Sequence, residues 1–139
     1  MKPLALTMGD PAGIGGELTL RAWLALRAVG PCFVALDDPR RLSSLAAAMR
    51  LDVPVRAVQR CEDAAVLFAD ALPVLPVPLA LPAVAGNPDD ANAPAVIGSI
   101  EQATRLASAG TAGGVVTNPI NKAALYQAGF AYPGHTEFL

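Results

Sequence analysis

Leu4-Ala5-Leu6-Thr7-Met8 leads directly into Gly9-Asp10-Pro11-Ala12-Gly13-Ile14-Gly15-Gly16-Glu17, an uncharged apolar segment of strand length followed by a glycine-rich turn. A short apolar run bounded by glycine is the pattern of a strand covered on both faces. Residues 18–29 then have helical length and helix-forming composition, and Gly30-Pro31 stops them. Strand, glycine-rich turn and helix make the first part of a βα unit. In open α/β sheets such turns lie at the carboxyl edge, where ligands bind.

The same alternation continues outward. Residues 32–36 (CFVAL) read as a second strand. Asp37-Asp38-Pro39 is a helix start, an acidic cap followed by proline at the first helical position, and residues 40–50 carry the helix. A third strand is expected over residues 53–58, weakened by Pro54, and a short helix over 62–69. A strand around Val74-Leu75 precedes a long, proline-stiffened loop. Residues 95–109 form a helix, 113–117 (GGVVT) a short buried strand, and 118–128 a turn and helix closed by Gly129. Strands alternating with helices predict one α/β unit over residues 1–139, with a largely parallel sheet between helical layers.

Composition narrows the function classes. Hydrophobic residues make up 53% and charged residues 16%, too apolar for a disordered chain. The net charge is −2 and the ten Lys and Arg are scattered, so the basic stripe of a nucleic-acid binder is missing. The most apolar stretch contains Pro73, Pro76, Pro78 and Pro82, which an uninterrupted membrane helix does not accommodate. Cys32 and Cys61 form no CxxC pair and read as reduced thiols. A cytoplasmic protein is expected, with no nucleic-acid or membrane partner.

Three polar places are candidates for chemistry. The glycine-rich turn is neither GxGxxG nor a Walker loop; it either brings backbone N–H groups to an anion or is a tight turn that needs glycine for positive φ. Within it, Asp10 either orients a ligand or caps the turn. Thr117-Asn118-Pro119-Ile120-Asn121-Lys122 repeats the strand-turn-helix pattern, and Asn118 ends its strand at the expected ligand edge. Lys122, in the first turn of a helix, opposes the helix dipole, a cost that a phosphate or carboxylate partner would offset. His135 is the only histidine; it lies on a loop before a probable cap, as a structural residue or as a neutral imidazole hydrogen-bonding a substrate. Gly134-His135-Thr136-Glu137-Phe138-Leu139 reads as a helix beginning, with Thr136 as N-cap, so an incomplete chain is expected.

These motifs carry a resemblance. TMGDPAGIGGE closely resembles the opening of the PdxA family, the 4-hydroxythreonine-4-phosphate dehydrogenases, whose usual form is GDPAGIGPE. GGVVTNPINKAAL is similar to the family's second motif, and AGFAYPGHTEFL to its GHTEF segment, in the family's order and over nearly the whole chain. One departure is Gly16, where the family usually has proline; glycine there is expected to loosen the turn slightly.

The resemblance implies a fold like isocitrate and isopropylmalate dehydrogenases rather than a Rossmann domain, and a homodimer. It implies oxidation of 4-phosphooxy-L-threonine, a small phosphorylated hydroxy amino acid, with NAD or NADP. Decarboxylation follows, on the route to pyridoxal phosphate. His135 and Thr136 match the family's substrate-binding pair, with Asn118, Lys122 and Asp10 as further candidates. It also implies a divalent metal (zinc, magnesium or cobalt) held by three histidines beyond the GHTEF motif, so that the C-terminal part with the metal site is absent from this sequence. Two alternatives stay open: a PdxA-like dehydrogenase for 4-phosphorylated threonate or erythronate or for an aromatic dihydrodiol, and a truncated, non-catalytic binding or assembly module.

Overall fold

Alternate side chains of the central strands feed two separate cores, which is why helices cover both faces of the sheet. In the computed structural model the described residues are 2–84, 86–87 and 89–120. Strand β1 (Leu4–Thr7) sends Leu6 to one side and Ala5 to the other. Strand β2 (Phe33–Asp37) sends Phe33 and Ala35 with Leu6, and Val34 and Leu36 with Ala5. Strand β4 (Leu72–Pro76) divides Leu72 and Val74 from Leu75 in the same way. This period of two, with both faces apolar, is what a parallel sheet between helical layers requires.

Helices α1 (Gly15–Leu26) and α2 (Pro39–Ala48) close the first core through Leu20, Trp23, Leu42 and Ala46. Trp23 is fully buried and donates its indole N–H to the Phe68 carbonyl at 2.8 Å, so its one polar atom is satisfied. On the opposite face lie α4 (Ala93–Ser108) and the single turn α3 (Ala64–Leu67), which contribute Ala103 and Ala64.

Among the described residues five strands pair in the order β3-β4-β2-β1-β5, all parallel, where β3 is Val55–Ala57 and β5 is Val115–Val116. The predicted α/β architecture with a parallel sheet is therefore present. The order is not the 3-2-1-4-5-6 of dinucleotide-binding domains, because β4 lies between β2 and β3. That difference is the non-Rossmann character expected above.

Element boundaries depart from the sequence expectation in instructive ways. Helix α1 starts at Gly15 rather than Leu18, because the last two glycines of the turn already take helical conformation. The expected helix at 62–69 is a 3-10 turn, Cys61–Asp63, and the four residues of α3. The strand expected at 113–117 pairs only through Val115 and Val116. The helix expected after residue 120 lies outside the described residues.

Ser99 of α4 ties this framework together at the carboxyl edge. Its hydroxyl is fully buried, accepts from the Met8 N–H at 3.1 Å and donates to the Leu36 carbonyl at 2.7 Å, linking the ends of β1 and β2. Replacing Ser99 with Ala is expected to cost about 1–3 kcal/mol, since buried polar groups lose their partner. Urea denaturation would show it as a lowered midpoint at unchanged slope.

Candidate functional site at the carboxyl edge

Strand β1 ends in the glycine-rich turn, and the turn after β5 packs directly against it. Gly9 has φ +69°; a Cβ there would stand 2.6 Å from the Pro119 carbonyl oxygen and 2.7 Å from the Asn118 Cβ. A Cβ on Gly15 would lie 2.7 Å from the Met8 carbonyl oxygen and 3.2 Å from the Asn118 Cβ. The Asp10 N–H donates to the Pro119 carbonyl at 2.7 Å. Two of the glycines are thus required by the close approach of a second turn, and the space they leave is filled by protein. The missing side chains of that pair are accounted for by packing.

Asn118 is the centre of this junction and is only 6% exposed. Its backbone N–H donates to Thr7 Oγ1 at 3.2 Å. Its side-chain Nδ2 donates to the Thr7 carbonyl at 2.9 Å and to Thr19 Oγ1 at 3.0 Å. Among the described residues its Oδ1 receives no hydrogen bond. Asp10 is half-buried, and its Oδ1 accepts from the Ala12 N–H at 3.0 Å while its carbonyl accepts from the Gly13 N–H at 3.0 Å. It therefore caps the turn in the manner of an Asx-turn.

Asp37 and Asp38, adjacent in sequence, have separate tasks. Asp38 caps α2 through Oδ1, which accepts from Arg40 and Arg41 N–H groups at 2.9 and 3.4 Å, while its Oδ2 accepts from the Leu79 N–H at 3.0 Å. Asp37, the last residue of β2, is fully buried and receives Arg41 Nη1 at 2.7 Å on each carboxylate oxygen. Burial pushes the Asp37 carboxyl above the ordinary carboxylate range, and the Arg41 guanidinium opposes that rise. The sequence reading missed this pair. The i,i+4 spacing of Asp and Arg was visible, but the strand-to-helix boundary falls between them.

Gly16 supplies the room that the guanidinium needs: a Cβ there would lie 2.9 Å from Arg41 Nη2 and 2.8 Å from Leu45 Cδ2. Where the family's usual form has proline, this chain has packed an arginine against bare backbone.

A cleft of about 560 Å³ opens between the glycine-rich turn (Pro11, Gly13), the first turns of α2 (Asp38, Arg41, Ser44) and the loop at residues 79–83. The loop is anchored at both sides: Asn92 exchanges two hydrogen bonds with Leu81 at 3.0 and 3.1 Å, and the Gly86 N–H reaches the Ala12 carbonyl at 2.8 Å. Of the sequence-predicted site residues, Asp10 and Asn118 meet at the turn junction. Lys122, His135 and Thr136 lie outside the described residues. Among the described residues no group of three or more His, Cys, Asp or Glu side chains could hold a metal ion, and no helix is long and apolar enough to cross a membrane.

A parallel sheet with its polar turns gathered at one carboxyl edge defines an α/β protein of the open-sheet class, in which that edge is the usual place for a ligand. Residues 30–139 match the family described as pyridoxal phosphate biosynthetic protein PdxA, and the chain belongs to that family. It is 49% identical over 138 residues to a 4-hydroxythreonine-4-phosphate dehydrogenase of Caulobacter vibrioides, covering 99% of this chain and 40% of that relative. The chain thus spans about 40% of the length of the curated relatives it matches. A solved 4-hydroxythreonine-4-phosphate dehydrogenase from Burkholderia phymatum superposes with a TM-score of 0.90 at 25% identity, over 100% of this chain and 42% of that one. A terephthalate 1,2-cis-dihydrodiol dehydrogenase from Burkholderia xenovorans LB400 is similar at 27% identity and a TM-score of 0.70, over 96% of this chain and 38% of that one.

Proposed function

We propose that this chain is the N-terminal portion of a dehydrogenase that oxidises 4-phosphooxy-L-threonine to 2-amino-3-oxo-4-phosphooxybutanoate, which then loses carbon dioxide on the way to pyridoxal phosphate. What supports this most is the 49% identity, over nearly the whole chain, to a relative named for that activity. The proposal includes a homodimer working in the cytoplasm. When bound, NAD or NADP supplies the hydride acceptor. A divalent metal belongs to the proposal through the family resemblance, which assigns it to histidines that follow the GHTEF segment.

In this reading His135 and Thr136 hold the substrate, and Lys122 meets its phosphate or carboxylate. Asp10 and Asn118 contribute from the turn junction. Asn118 has committed Nδ2 to Thr7 and Thr19, which leaves Oδ1 as its atom for a substrate donor.

The test uses the family-length protein with 4-phosphooxy-L-threonine and either nicotinamide. Reduced cofactor should accumulate with substrate; its absence in both cofactors overturns the proposal. Replacing His135 with Ala is expected to raise the substrate KM about tenfold or more, the worth of a hydrogen bond to a charged group, with little change in the KM for the cofactor. An unchanged substrate KM would remove His135 from the site. The Burkholderia xenovorans neighbour favours a second reading, oxidation of an aromatic cis-dihydrodiol. A higher kcat/KM for such a diol than for the phosphorylated amino acid would establish it instead.

A further inference from the structure

We infer that Asn118 and Thr19 form a positioning device: they fasten the turn after β5 to β1 and α1, the two elements that flank the glycine-rich turn, and so hold Asp10 and Pro119 in one fixed relation at the carboxyl edge. The inference rests on the proposed dehydrogenase reading only for what is being positioned.

The geometry points to a clamp. Thr7, Thr19 and Asn118 come from β1, α1 and the turn after β5, and they are 1%, 1% and 6% exposed. Nδ2 of Asn118 uses both its protons, one on the Thr7 carbonyl and one on the Thr19 hydroxyl. The backbone of the same residue donates to Thr7 Oγ1, and the next residue's carbonyl takes the Asp10 N–H. Four hydrogen bonds therefore tie the turn after β5 to the end of β1, to the glycine-rich turn and to α1, each across about 100 residues of sequence or more. Gly9 and Gly15 remove the side chains that would keep the turns apart.

Thr19 separates positioning from contact. It lies in α1, is fully buried, and its hydroxyl accepts from Asn118. A buried residue of this kind alters substrate binding only through Asn118 and the turn it holds. None of the clamp's side chains titrates in the physiological range, so the clamp adds no step to a pH–rate profile.

The experiment is a set of variants of the family-length enzyme. Thr19→Val keeps the shape and removes the hydroxyl; Thr19→Ser restores it. Thr19→Val is expected to raise the substrate KM about threefold to tenfold, the worth of one buried hydrogen bond, with kcat within about twofold, and Thr19→Ser to return KM to the parent value. The double variant Thr19→Val/Asn118→Ala should be no worse than Asn118→Ala alone, because both remove the same link. Amide hydrogen exchange at Asp10 and Asn118 should quicken in Thr19→Val and recover in Thr19→Ser. An unchanged KM in Thr19→Val, additive losses in the double variant, or unaltered exchange at both amides would each overturn the clamp. The exchange measurement needs no turnover, so it tests the clamp even if the enzyme proves to act on another substrate.

Discussion

Replacing Gly9 with Ala is expected to destabilise the fold by about 2–5 kcal/mol, because it joins a left-handed backbone penalty to overpacking against a neighbouring turn. The residue has φ +69°, where an L side chain is strained whatever the space. Its Cβ would also stand 2.6 Å from the Pro119 carbonyl oxygen, a backbone atom that cannot rotate away. Relief requires the turn after β5 to withdraw, which breaks the Asp10 N–H bond to Pro119 and strains the Asn118 bonds. Guanidinium denaturation monitored by far-UV circular dichroism measures the loss. A change below about 1 kcal/mol would mean that the two turns separate easily and that the glycine is not required by their packing.

Replacing Arg41 with Met is expected to cost about 3–5 kcal/mol, since it leaves a buried carboxylate with its counter-ion gone. Asp37 is fully buried and the Arg41 side chain is 9% exposed, so water compensates little. The double variant Asp37→Asn/Arg41→Met should recover most of the loss, because the uncompensated charge goes with the arginine. The pH dependence has a definite sign. Burial raises the folded-state pKa of Asp37, so the folded chain holds that proton more tightly than the unfolded chain does. Stability therefore falls as pH rises from the ordinary carboxylate range through the raised value. Removing Arg41 takes away the main influence that lowers this pKa, and the window extends upward. The Arg41→Met penalty should be larger at about pH 8 than at about pH 5. Equal penalties at both would show that loss of Arg41 does not move the Asp37 titration within that range.

The local punctuation of the sequence carried much of the architecture. Asp38-Pro39 predicted where α2 begins, and α2 does begin at Pro39 with Asp38 as its cap. Apolar runs between turn residues located β1, β2, β4 and α4 to within a few residues. What stayed hidden depends on partners remote in sequence. The start of α1 was hidden because glycines with low helix propensity occupy its first turn, held there by contacts with Met8, Asn118 and Arg41. Strand β5 was shortened to two residues because only Ala5 and Leu6 pair with it. Ser99 reads as an ordinary mid-helix serine until Met8 and Leu36 are brought to it.

The site divides in the same manner. The motifs named Asp10 and Asn118 as polar residues at the ends of strands, a matter of spacing and residue type. The ambiguity of the glycine-rich turn, ligand cradle or tight packing, had no resolution in the linear pattern, because both uses select glycine for its missing side chain. By itself the sequence determined the βα alternation, the caps, the parallel sheet and the family, since each is written in residues near one another or in motif order. Only the tertiary structure decided that Gly9 and Gly15 receive the Asn118-Pro119 backbone, that Asn118 spends its amide on Thr7 and Thr19, and that Asp37 pairs with Arg41 beside Gly16. The first two follow from strand order, which places β1 beside β5 and brings their terminal turns within hydrogen-bonding distance; the third is local and depends on the room that Gly16 leaves for the guanidinium.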